Sequence, residues 1–145
     1  MFASMKSIHA ATGLLPSGWS ENVRLEIGAD GRIADIDTGA AAQAEDTCVA
    51  VLLPAISNLH SHTFQRAMAG LSEARGPSGR DSFWTWREIM YRFLDVLTPD
   101  EIEAIAAYAF MEMQEAGFGA IAEFHYLHHQ PGGSPYEDLG ELSLR

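Results

Sequence analysis

Cysteine is nearly missing from this chain: Cys48 stands alone among 145 residues. No internal disulfide can form, and a reducing compartment fits. Cys48 lies in an apolar run and reads as a small core residue rather than a nucleophile. Positive charge is also scarce, with 9 Lys and Arg against 20 Asp and Glu, a net charge of −11 and a pI near 4.8. Non-specific nucleic-acid binding relies on clustered Lys and Arg, so no nucleic-acid partner is expected. Long apolar runs are absent too. None approaches the roughly 20 residues that span a bilayer, so no membrane partner is expected. Lys6 is not followed by the apolar stretch of a secretory signal, and a cytoplasmic location is expected.

What is present is the makeup of a globular domain: 47% hydrophobic and 20% charged residues in a length that suits one ordinary domain. Residues 1–53 read as β. Ser7 to Leu14 fits a first strand, and Leu15-Pro16-Ser17-Gly18 is a turn signal. Asn22 to Ile27 alternates, with Val23, Leu25 and Ile27 on one face and Arg24 and Glu26 on the other. Gly28-Ala29-Asp30-Gly31 marks a hairpin loop before Arg32 to Asp37, a third strand through Ile33 and Ile36. A small, polar loop follows from Thr38 to Thr47, then a strand from Cys48 to Leu53. Such a sheet has open edges and needs a partner layer.

The stretch Pro54 to Gln65 carries the strongest chemical signal. It follows the apolar run Val49 to Leu53 and holds His60 and His62 with one residue between them. In an extended strand, side chains at i and i+2 share a face, so the two imidazoles project together and can share one ion. Neutral imidazole is the commonest metal ligand, and α/β barrels place catalytic groups at strand ends. The alternative reading is a pair of solvated loop histidines.

Beyond residue 60 the pattern turns helical. Phe64 to Leu71 fits a short helix, and Ser72 to Arg80, with Gly76, Pro77, Ser78 and Gly79, reads as a flexible loop. Asp81-Ser82 can cap a helix running to about Leu94. Its aromatics, Phe83, Trp84, Trp86, Tyr91 and Phe93, read mostly as core. Arg87 stands among them as a cation that suits a carboxylate, with a surface ion pair as the alternative. Thr98-Pro99-Asp100-Glu101 is a capping box with Pro at the first helical position. That helix runs to Ala116, stops at Gly117 and carries the apolar stripe Ile102, Ile105, Ala106, Ala109 and Met113. Gly119 to Tyr126 reads as a second buried strand. His125, Tyr126, His128 and His129 sit at its carboxyl end, and Tyr136 to Arg145 opens a further helix.

The order is therefore α/β: an N-terminal part of a small β-sandwich over residues 1–53, then over 54–145 the first strand–helix–strand units of an incomplete (β/α)8 TIM-like barrel. A whole barrel needs about 250 residues.

Asn58-Leu59-His60-Ser61-His62-Thr63-Phe64-Gln65-Arg66-Ala67-Met68-Ala69-Gly70 resembles the first barrel strand of the amidohydrolase superfamily. Three further stretches narrow the resemblance to its formimidoylglutamate deiminase family. They are Asp81 to Glu88, Met90 to Phe93, and Ala122-Glu123-Phe124-His125-Tyr126-Leu127-His128-His129. The likeness covers nearly all of residues 14–145 but only the first third of a family member. The H-x-H is shared across the superfamily. The tryptophan segment and the Glu123 to His129 stretch are the specific parts. One departure is Pro54-Ala55 where the family has Pro-Gly, a small change.

The resemblance implies a zinc-dependent hydrolysis of N-formimino-L-glutamate to N-formyl-L-glutamate and ammonia, a step of histidine degradation. His60 and His62 would hold one Zn2+, and Gln65, Arg87 and Tyr126 match positions that hold the substrate. The remaining ligands and the proton-moving residues come from later strands, so no catalytic residue falls within residues 1–145. The expected partners are a small-molecule substrate and, for the full-length protein, a second copy in a homodimer. This chain alone is expected to be an inactive N-terminal fragment. Two other readings are another amidohydrolase deaminase acting on a heterocycle, and a non-catalytic fragment or interaction module.

Overall fold

The computed structural model describes residues 7–72 and 82–145. The chain divides into two compact units, Met1–Pro54 and Ala55–Arg145. The stretch read as a flexible loop lies outside the described residues beyond Ser72, and so does Asp81.

The first unit is one mixed sheet of four strands, β1 (Ser7–Leu15), β2 (Gly18–Ile27), β3 (Ile33–Asp37) and β4 (Thr47–Leu52), in the order β3-β2-β1-β4. β1 and β2 form an antiparallel hairpin closed at Leu15 opposite Gly18, where Gly18 has a φ of 110° that favours glycine. β2 pairs antiparallel with β3 across a register shift at Glu26/Ile27, and β1 pairs parallel with β4. The connection that makes β4 parallel is tied down at several points. Gly39 and Ala40 donate backbone N–H groups to the carbonyls of Glu21 and Asn22. The His9 ring meets the Ala40 carbonyl at 2.9 Å. Asp46 accepts from Arg24 Nε at 3.0 and 3.1 Å and from the Gln43 N–H at 2.8 Å.

Ala10, Val23 and Leu25 are this unit's buried apolar residues. Gly13 lies so close to Val23 that a Cβ there would sit 2.9 Å from Val23 Cγ2. Val49, Val51, Ile33 and Ile36 stay exposed. One sheet is what the described residues show of the sandwich read from the sequence, and a single layer leaves its second face uncovered. Cys48 is likewise exposed rather than a core residue.

The second unit holds a β–α–β arrangement. β5 (Ile56–Ser61) and β6 (Phe118–Glu123) pair in parallel, with α1 (Phe83–Leu94) and α2 (Pro99–Glu115) between them in the chain. Both helices start where their caps dictate. Ser82 and Thr85 form a reciprocal capping box for α1, and Thr98 and Glu101 do so for α2, with Pro99 at the first turn. The Thr98 N–H holds the Glu101 carboxyl below its ordinary pKa. Past α2, Gly117 takes a φ of 91°, the left-handed stop that the sequence implied. The core gathers Phe64, Met68, Met90, Leu97, Ile102 and Leu127. The α2 stripe packs as read, from Ile102 through Ile105, Ala106 and Ala109 to Met113. Arg66 also ties the segment after β5 to α2, donating from Nε and Nη2 to the Glu112 carboxylate at 2.6 and 2.8 Å.

Several expectations need correcting. The short helix read over Phe64 to Leu71 is a 3-10 helix that ends earlier, over Thr63–Met68. Of the five aromatics on α1, only Trp86 and Phe93 pack on the core; Phe83, Trp84 and Tyr91 are exposed. With 3.6 residues per turn, Trp86, Met90 and Phe93 share the inward stripe; Trp84 and Tyr91 fall outside it, and Phe83, on the stripe's side, is exposed at the first residue of the helix. β6 ends at Glu123 instead of Tyr126, Phe124 is 63% exposed, and the backbone turns at Tyr126 with a φ of 40°. Residues 136–145 hold only a 3-10 turn, Glu141–Ser143, in place of an opening helix. Among the described residues, no helix is long and apolar enough to cross a membrane.

Candidate metal and substrate site

The apolar run lies on β4, His60 lies on β5, and His62 follows one residue past the end of β5. β4 ends at Leu52, Pro54 closes the first unit, and β5 carries His60. Proline has no N–H to extend a ladder, so the break falls there. Within β5 the pairing with β6 shifts between Asn58 and Ser61. The Asn58 side chain fills the gap by accepting the His60 N–H at 3.1 Å. Ser61 and Thr63 are buried, whereas His60 is exposed and His62 half-buried. The two imidazoles lie side by side, with ring centroids 4.5 Å apart and planes at 81°.

His62 has a defined role for each ring nitrogen. Its Nδ1 lies 2.7 Å from the Phe124 carbonyl. A carbonyl only accepts, so Nδ1 carries the proton and Nε2 keeps its lone pair. This is the arrangement by which a backbone carbonyl orients a ligating histidine. The donor chemistry fits zinc or another imidazole-binding divalent ion. It supplies half of a site, because no group of three or more His, Cys, Asp or Glu among the described residues is placed to hold a metal.

Gln65 and Tyr126 meet beside this pair. Gln65 Nε2 donates to the Tyr126 hydroxyl at 3.1 Å, and that hydroxyl donates to Met90 Sδ at 3.4 Å. The Tyr126 ring packs edge-on against His62, with centroids 5.1 Å apart. Tyr126 is one of two non-glycine residues with positive φ among the described residues, a conformation that costs energy and clusters at functional sites. Arg87 is not hydrogen-bonded to these groups. It lies one helical turn before Met90, with Nε and Nη2 donating to the Tyr91 hydroxyl at 3.3 and 2.9 Å. Its guanidinium sits 5.2 and 5.8 Å from the ring centroids of Tyr91 and Trp84.

The remaining histidines do other work. His125 Nδ1 accepts the Leu127 N–H at 3.0 Å, so in the neutral ring Nε2 holds the proton and donates it to the Ser143 hydroxyl. Burial and then the neighbouring His128 keep the His125 pKa below its ordinary value. His125 therefore cannot serve as a base toward Ser143. His128 Nδ1 donates to the Leu139 carbonyl at 2.8 Å, and His129 bridges to Pro135 in a small hairpin. Sequence reasoning passed over Met90 and Glu123. No local signal marks Met90 as a partner of Tyr126, and Glu123 reaches Thr63 across 60 positions, a separation that local pattern does not reveal.

A family profile described as "Formimidoylglutamate deiminase HutF, N-terminal domain" matches residues 5–48. The formimidoylglutamate deiminase of Pseudomonas aeruginosa is 52% identical over 141 residues, which cover 97% of this chain and 31% of that protein. The chain is homologous to the N-terminal third of formimidoylglutamate deiminase. It spans about a third of the length of these relatives. The crystal structure of an amidohydrolase from Brucella melitensis superposes with a TM-score of 0.85 at 51% identity, over 94% of this chain and 30% of that one. An 8-oxoguanine deaminase of P. aeruginosa is more distant, at 31% identity over 72% of this chain and 23% of that protein. The profile lies on the sheet, and the 141-residue match to the deiminase extends over both units.

Proposed function

We propose that this chain is the N-terminal third of a metal-dependent hydrolase that converts N-formimino-L-glutamate and water to N-formyl-L-glutamate and ammonia. The observation that carries the proposal is the 52% identity to a formimidoylglutamate deiminase across 97% of the chain. The grouping of His60, His62, Gln65 and Tyr126 supports it. In this reading β5 and β6 are the first two strands of a (β/α)8 barrel, and the full-length protein is a cytoplasmic homodimer.

His60 and His62 Nε2 would hold one Zn2+, with its other ligands supplied from beyond Arg145. Bound zinc supplies a Lewis acid and water activation near neutral pH. The chain's own residues orient and hold the substrate. Gln65 and the Tyr126 hydroxyl, already hydrogen-bonded to one another, present donors and acceptors beside His62. Arg87 exchanges its Tyr91 hydroxyl contacts for one substrate carboxylate, which its planar guanidinium can bind bidentately. The groups that move protons lie outside these residues, so the 145-residue chain alone is inactive.

A second reading is favoured by the 8-oxoguanine deaminase likeness: a deaminase of a neutral ring. A purified full-length protein loaded with zinc decides between them by ammonia release. Turnover of N-formimino-L-glutamate without turnover of 8-oxoguanine supports the deiminase. The reverse pattern replaces it with the ring deaminase.

A further inference from the structure

We propose that Glu123 is a positioning residue for His62, clamping the backbone on which that ligand sits; this rests on the reading of His62 as a metal ligand. Three consecutive residues, Ser61 at the end of β5 and His62 and Thr63 just past it, are each held by Glu123, which ends β6, or by Phe124 after it. The Phe124 N–H donates to the Ser61 carbonyl at 2.9 Å. The Phe124 carbonyl takes the His62 Nδ1 proton at 2.7 Å. Glu123 Oε1 accepts both the Thr63 N–H, at 2.8 Å, and the Thr63 hydroxyl, at 2.9 Å.

The third grip answers a specific need. His62 is the N-cap of the 3-10 helix Thr63–Met68, and its side chain makes no cap hydrogen bond because its ring is turned away to Phe124. The first N–H of that helix, on buried Thr63, would be left without a partner. Glu123 supplies the acceptor from another strand and places negative charge at the helix N-terminus, where it is favourable. His62 is thereby free to use its ring for something other than capping. The arrangement carries a cost: Glu123 Oε2 is buried with no hydrogen-bond partner among the described residues. A buried polar atom left unsatisfied disfavours the fold, so stability alone does not explain a carboxylate there. Holding His62 with its Nε2 lone pair outward does.

Outer partners of metal ligands typically contribute 10- to 100-fold in metal affinity when removed. In the zinc-loaded full-length protein, Glu123→Ala should weaken zinc about 10- to 100-fold in competition with a chelator. Glu123→Gln keeps an oxygen that can accept both Thr63 bonds, and should stay within a few-fold of the parent. Imidazole 15N shifts of the metal-free protein should show His62 mostly as the Nδ1–H tautomer in the parent and Gln variant, and as a tautomer mixture in the Ala variant. Should the Ala variant fail to fold, Thr63→Val removes one of the two bonds, and a loss of about threefold to tenfold is expected. Unchanged zinc affinity in Glu123→Ala, or in a folded Thr63→Val standing in for it, overturns the clamp. A Gln variant as weak as the Ala variant does so too. His62→Ala tests the underlying reading separately: if it leaves zinc binding intact, His62 is not a ligand, whatever Glu123 does.

Discussion

Replacing Arg87 by alanine separates a substrate-binding cation from a structural one. The guanidinium is half-buried, donates twice to the Tyr91 hydroxyl and lies against the Trp84 and Tyr91 rings. Among the described residues no carboxylate lies within ion-pair distance of it, so its charge is not spent on a salt bridge there. If those aromatic contacts are its whole purpose, truncation removes cation–π contacts worth about 0.5–1 kcal/mol each at exposed sites. The cost would appear as a small fall in melting temperature with catalysis unchanged. If Arg87 binds a substrate carboxylate, truncation removes a charge-assisted bond worth about 1.5–3 kcal/mol. That corresponds to a loss of roughly tenfold to just over a hundredfold in kcat/KM. We expect that loss in the full-length protein, with bound zinc unchanged. Arg87→Lys should recover little, because an ammonium cannot reproduce a bidentate contact. Tyr91→Phe keeps the ring under Arg87 and removes only its competing hydroxyl, so it should leave kcat/KM level or raise it. Steady-state kinetics on N-formimino-L-glutamate with parallel metal analysis reads all three. A kcat/KM for Arg87→Ala within twofold of the parent refutes the carboxylate contact.

Three further outcomes concern other parts of the chain. The Arg24 guanidinium is the main cause that holds the Asp46 carboxyl at about 2 rather than 3.8, with the Gln43 N–H among the smaller ones. A depressed folded-state pKa stabilises fully above the unfolded value and fades below it, so the sheet should lose this contribution as pH falls from about 4 to about 2. Asp46→Asn should flatten that part of a stability-against-pH curve, and an unaltered curve would remove Asp46 from the account. Phe64 is 1% exposed and packs edge-on against Tyr126, so Phe64→Ala should cost about 3–5 kcal/mol in chemical denaturation. The 145-residue chain alone should release no ammonia and should self-associate, since Leu59, Ile56, Phe83, Trp84 and Phe124 all expose apolar surface. A monodisperse, cooperatively melting monomer in light scattering and calorimetry would contradict the second half.

The local elements were legible because their signals are local. Ser82 and the Thr98–Glu101 box begin their helices where the residue types demand, and Gly117 ends one for the same reason. The spacing of His60 and His62 foretold that their rings lie together, with centroids 4.5 Å apart. Burial was less legible. Val51 and Ile56 have strand chemistry, yet their exposure depends on layers that no window of sequence describes. The end of β6 and the positive φ at Tyr126 were missed because an apolar, aromatic stretch gives no warning of either. The roles of Glu123 and the Phe124 carbonyl depend on two strands meeting 60 residues apart, a tertiary fact.

The central claim is that His60 and His62 anchor the metal of a formimidoylglutamate deiminase. Its most direct test is ammonia release from N-formimino-L-glutamate by the zinc-loaded full-length protein, beside its His60→Ala and His62→Ala variants. The account expects turnover in the parent, and in each variant a loss of bound zinc together with activity. Full turnover by either variant, or none by the zinc-loaded parent, would contradict it.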